Sequence, residues 1–240
     1  MKSTLKNMVL VLFTITAISA LLVALVQDIT KDAIAAANEQ AKNVAKYKVL
    51  GTTADEAFVA ADTTCVISDF QISVSTIKSK ANDSLVGYAV EAPSITKNGY
   101  ADRIVLMVGF VEEDGKNIVN GVEVLSQKET PGLGANMTKE GNSLERSIVG
   151  KDAAEVKFGV SKEGGSFDAL TGSTISSRAY ANAIETAYAG LLWATNRLNT
   201  SAEALEAAPS GASVVMDSEA TPLVNENSEP EAQKGEVSHE

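Results

Sequence analysis

Residues Met8 to Val26 form a run of nineteen without a single charged side chain. Wound as a helix at 1.5 Å per residue, such a run is roughly 28 Å long, close to the hydrocarbon thickness of a bilayer. Lys2 and Lys6 precede it and Asp28 follows it. The positive-inside rule then puts the N-terminus in the cytoplasm and everything after residue 28 on the outer face. A cleaved secretory signal is the competing reading. Its apolar region is normally shorter and ends in small residues at the cut. Ser19-Ala20 and Ala24 offer only poor sites, and the apolar run continues past them. Either way the body of the chain lies outside the cytoplasm. The expected organisation is an anchor over 1–28, a folded domain over 29–200 and a tail over 201–240.

Charge supports that division. The formal net charge is −11. Ser201 to Glu240 holds nine acids and one lysine, so the tail carries −8 and the first 200 residues only −3. The tail has no aromatic residue and is expected to be disordered and solvating. No basic face is in evidence, which argues against a nucleic-acid partner.

The scarcity of metal ligands is equally restrictive. Cys65 is the one cysteine and His239 the one histidine. A disulfide within the chain, a Cys-ligated iron–sulfur cluster, a Ser-His-Asp triad and a His-based zinc site are all excluded from the body. Any redox chemistry would need an organic cofactor. Cys65 itself reads as a small buried apolar residue.

Periodicity outlines the domain. Ile29, Ala33, Ala37, Ala41 and Val44 recur at helical spacing, so a helix continues from the span through Thr30–Leu50. One strand is expected over Val66–Ile77 and another over Leu85–Glu91. Ile104–Val111 reads as a buried central strand, turning at Asp114-Gly115 into Ile118–Leu125. A helix is expected near Ser143–Val149, then a strand presenting Val156, Phe158 and Val160. Ile175–Leu198 reads as a helix with Ala179, Ala183, Ala187 and Leu191 along one stripe.

The chemistry-bearing segment runs into that last helix. Asp168-Ala169-Leu170-Thr171-Gly172-Ser173-Thr174-Ile175-Ser176 places a glycine and several hydroxyls at a helix N-terminus, where unpaired N–H groups favour an anion. A phosphate site and an ordinary Ser/Thr helix cap both fit these residues. There is no Gly-Lys-Ser/Thr and no Gly-x-Gly-x-x-Gly, so neither a P-loop nor a Rossmann site is supported.

The pattern Asp168-x-x-Thr171-Gly172-Ser173-Thr174-x-Ser176 resembles the flavinylation motif of the FMN-binding domain. That domain occurs in the G subunit of Rnf-type ion-translocating oxidoreductase complexes and the C subunit of sodium-pumping NADH:quinone reductases. The resemblance implies one covalent FMN, its phosphate esterified to Thr174 by a flavin transferase. Ser173 departs from the alanine usual in the family. The loop Glu129-Thr130-Pro131-Gly132-Leu133-Gly134 resembles, without substitution, the family's second conserved loop, which implies packing near the flavin. Gly99-Tyr100 is a weaker echo. The two motifs stand in family order about forty residues apart. Leu5–Leu12 and Ile29-Thr30-Lys31 are similar to the anchor of the Rnf-type G subunit and favour that family over the quinone-reductase one.

The implied protein is α+β, with a single N-terminal transmembrane helix in a bacterial cytoplasmic membrane. A mixed α/β FMN-binding domain with a mainly antiparallel sheet would follow on the extracytoplasmic side. It would be an electron-transfer subunit, not catalytic alone, beside other membrane and redox subunits. Glu129 would orient or stabilise its loop, and Asp168 would be read by the transferase or cap the turn. A membrane-anchored binding or sensory module without redox work is the alternative of a different class.

Overall fold

A computed structural model describes the backbone of residues 2–195 and the side chains of residues 6–195. The expected tail over 201–240 lies outside the described residues. A single helix, α1 (Lys2–Lys48), opens the chain. Its apolar half is fully exposed within the protein, as a segment solvated by lipid must be, and it is the one described helix long and apolar enough to cross a membrane. The helix does not break at residue 28 but carries on for a further twenty residues.

Five strands follow: β1 (Ala57–Ile67), β2 (Phe70–Ser79), β3 (Leu85–Pro93), β4 (Val105–Glu113) and β5 (Lys116–Ser126). They form one sheet in sequence order, and every pairing is antiparallel. The sheet is thus a plain meander, with no parallel pair between its strands. A short helix α2 (Ser143–Arg146), capped by the Asn142 side chain, and a long helix α3 (Thr174–Ala194) complete the fold.

The expected single strand over Val66–Ile77 is a hairpin. Ser68 and Asp69 adopt positive φ of 49° and 67° and turn β1 into β2. The whole of β1 before Val66 goes beyond the sequence expectation. The expected strand at Val156–Val160 is also absent. There the chain is extended but pairs with itself: Ser161 N donates to Phe167 O and Phe167 N to Gly159 O, closing a loop around Gly164. Val156 and Val160 still face the core. The Asp114-Gly115 turn, the strands on either side of it and the stripe on α3 match expectation.

Candidate functional site

Two β-turns of the same construction build the site. Thr130-Pro131-Gly132-Leu133 closes through Leu133 N donating to Thr130 O, with Gly132 at φ 80°. Leu170-Thr171-Gly172-Ser173 closes through Ser173 N donating to Leu170 O, with Gly172 at φ 72°. Positive φ at the third turn position is where glycine is needed. The first turn leaves β5, and the second leads into α3. Ser177 ties the second turn down: its Oγ accepts from Leu170 N at 3.0 Å and donates to Ser173 O at 2.8 Å.

The two motifs meet. Leu133 packs on Gly172, where an added Cβ would be 3.4 Å from Leu133 Cδ2. Ser176 Oγ donates to Glu129 Oε2, joining the first turn of α3 to the loop after β5. Glu129 is buried, and its other oxygen accepts from Tyr100 N at 2.7 Å. Gly134 leaves room for this junction. A Cβ there would lie 2.5 Å from Ser176 Oγ and 2.7 Å from Glu129 Oε2.

Between the motifs opens a cleft of about 580 Å³, lined by Tyr100, Glu129, Thr130, Leu133, Gly134, Gly172, Ser173, Thr174, Ile175 and Ser176. That volume lies in the range of small-molecule sites. Asp168, Thr171, Pro131 and Gly132 do not line it and are exposed. Asp168 is fixed through its backbone, N–H to Ser147 Oγ at 3.2 Å. Ile175 reads from sequence only as the start of a helix. Its position beside the motif threonine is the signal that marks it.

A segment before β4 walls the cleft and is clamped from two sides. At one end Glu129 takes Tyr100 N. At the other the buried Asn182 of α3 accepts with Oδ1 from Ile95 N, Thr96 N and Lys97 N at 2.8, 2.9 and 3.2 Å. Its amide donates to Glu185 Oε2. Burial raises the Glu185 carboxyl above its ordinary range, against the Asn182 hydrogen bond and the charge of Lys97. Asn182 carries no motif, and the sequence pattern gives no sign of it. A second cleft, of about 510 Å³, lies across Ile175 and is lined by Lys97, Phe158, Glu163, Arg178 and Glu185 among others.

Among the described residues no group of His, Cys, Asp and Glu could hold a metal ion. Cys65 is buried, and desolvation pushes its thiol up to about 11, as suits an inert core residue.

A meander sheet backed by a helix whose N-terminus opens on a turn-built cleft defines a small cofactor-binding domain on a membrane helix. Residues 99–189 match the FMN-binding domain family. The G subunit of the Na⁺-translocating ferredoxin:NAD⁺ oxidoreductase complex of Acetobacterium woodii is 32% identical over 182 residues, covering 73% of this chain and 86% of that protein. The G subunits of ion-translocating oxidoreductase complexes from Aliivibrio fischeri MJ11 and Shewanella baltica are 40% and 39% identical over 104 and 105 residues. Those matches span 42% of this chain and about half of each relative, 47%. The chain belongs to the family of G subunits of ion-translocating oxidoreductase complexes. It is an FMN flavoprotein and a single-pass membrane protein, one component of a larger assembly.

Proposed function

We propose that this chain carries one FMN, esterified through its phosphate to Thr174, and relays electrons within an Rnf-type complex that couples ferredoxin:NAD electron transfer to ion translocation. The observation that carries this reading is the meeting of both motif loops around one cleft, with Thr174 on its wall. The chemistry of the donor set fits the group. The N-cap side chain makes no capping hydrogen bond with the first-turn N–H groups of α3, whose residues Thr174, Ile175 and Ser176 line the cleft. Those N–H groups and the helix dipole favour the single negative charge of a phosphodiester.

The flavin supplies the redox chemistry, taking up two electrons and releasing them singly. The protein's part is to hold and orient it. Glu129 fixes the Tyr100 strap and Ser176 and is a positioning residue. Leu133, Ile175 and Tyr100 give the mouth an apolar rim that limits water. A covalent bond keeps the cofactor in place on the extracytoplasmic side, where lost flavin has no local supply. Asp168 and Thr171, exposed and off the cleft, suit reading by the flavin transferase. Met8–Val26 holds the domain beside the membrane subunits, with the N-terminus in the cytoplasm.

Co-expression with a flavin transferase, followed by mass spectrometry of the Thr174 peptide, tests the proposal. The expected result is an FMN adduct on Thr174 and in-gel flavin fluorescence that Thr174→Ala abolishes. A dark wild-type band would favour the non-redox binding module.

A further inference from the structure

Serine at a helix N-cap ordinarily turns its hydroxyl back to accept from the second or third N–H of the helix. Ser173 stands at the N-cap of α3 and does not do so. Its backbone is at φ −136° and ψ 47°, and its side chain makes no cap hydrogen bond. The residue is only 6% exposed. Its Oγ is shut off from solvent and has no hydrogen-bond partner. Ser177, one turn on, does the local work instead, donating from both N and Oγ to Ser173 O. The Ser173 hydroxyl thus contributes nothing to the fold that would offset its burial, which is unfavourable for an unpaired polar group. Yet the residue itself forms part of the wall of the cleft beside Thr174.

We propose that Ser173 Oγ is a hydrogen-bond donor to a non-bridging phosphoryl oxygen of the group attached at Thr174, and is not itself an attachment point. This rests on the FMN reading above. An ester at Thr174 puts a phosphoryl oxygen one residue away from an orphan donor. The first-turn N–H groups, which the Ser173 side chain does not cap, favour the same negative charge. Attachment, by contrast, requires an oxygen that a second enzyme can reach. Thr174 is half-buried and opens on the cleft, whereas Ser173 is enclosed. The serine therefore adds a phosphate contact that an alanine in its place could not make.

The test uses the full chain in detergent, produced with and without a flavin transferase. Without flavin, Ser173→Ala is expected to melt at or above the wild-type temperature, because an unpaired buried hydroxyl is removed. With flavin, the same substitution is expected to lower the melting temperature and to move the phosphorus NMR resonance of the linked phosphate. Ser173→Cys, of similar size with a weaker donor, should show the same reversal in smaller degree. Mass spectrometry of Thr174→Ala should find no FMN on Ser173. FMN on Ser173 in that variant would overturn the proposal. So would flavin on Thr174 with a phosphorus signal and a melting shift indifferent to Ser173→Ala. A wild-type chain that takes up no flavin would sink the FMN reading and this inference together.

Discussion

The sheet is covered on its two faces by helices held in different ways. On one face α3 is buried almost all round, with Ala179, Tyr180, Ala183, Ile184, Ala187 and Leu191 essentially inaccessible. It approaches β2 so closely that a Cβ on Gly190 would lie 2.6 Å from Ile72 Cγ2. On the other face only the end of α1 and the turn after it dock. Ala45, Val49 and Leu50 are buried there with Ala57, Ile77, Ala89 and Met107. The cross-strand pair Gly109 and Gly121 forms a flat seat for the Val49 backbone. Three lysines complete this dock: Lys42 to Glu91 at 2.9 Å, Lys46 to Asp62 at 3.1 Å and Lys48 to Glu123 at 2.7 Å. Close packing locates the N-terminus of α3, and hence the cleft, tightly. Charge pairs and one small apolar cluster steady the stalk.

If the two faces differ in this way, they should fail differently. Phe167→Ala, in the α3 core against Tyr180, should cost about 3–5 kcal/mol in denaturant unfolding and take flavin content down with it. Gly109→Val, under the end of α1, should cost about 1–3 kcal/mol through overpacking yet leave flavin content near wild type. Equal loss of flavin in both variants would erase the distinction. A more local effect is expected at Asn182→Ala. Three backbone donors lose their acceptor, at about 1–3 kcal/mol for each one left unsatisfied. Hydrogen exchange at Ile95–Lys97 should accelerate well before the strands open.

The smallest effects are in pH. Glu185, on the α3 side, has a raised folded-state pKa, so the folded state holds its proton more tightly than the unfolded chain does. Its contribution is present below the ordinary carboxylate range and is lost as pH rises from there through the raised value. Glu185→Gln should flatten that part of the melting-temperature profile. Lys42 and Lys48, on the α1 side, are raised by their hydrogen bonds to Glu91 and Glu123. Their contribution persists up to the ordinary lysine range and fades as pH climbs beyond it. Both pairs are partly exposed, so the alkaline effect should be slight and weakened by salt.

Much of this layout can be read from residue order, and the failures have physical causes. Helices α1 and α3 and the β4–β5 hairpin carry long periodic runs and an Asp-Gly turn. The β1–β2 turn uses Ser68-Asp69, with neither glycine nor proline, so two strands read as one. A phase slip betrays it: Cys65 and Ile67 are buried at odd positions, Ile72 and Val74 at even ones. Val156, Phe158 and Val160 alternate like a strand because they line the core from an extended loop. At the cleft, motif residues can be named from sequence but not sorted. Residue order does not tell that Ser173 faces inward while Asp168 and Thr171 face solvent. It gives no hint of Asn182, whose role depends on a partner loop some 85 residues away.

The continuity of α1 has a geometric consequence. No glycine or proline interrupts residues 2–48, so span and stalk turn as one shaft. Azimuth and height are then coupled. One residue added between membrane and sheet would swing the cleft by about 100° and lift it by about 1.5 Å. Seven added residues would restore its compass heading to within about 20° while lifting it by roughly 10 Å. A partner that meets the cleft at a set bearing would tolerate the second change in direction and feel it only as distance.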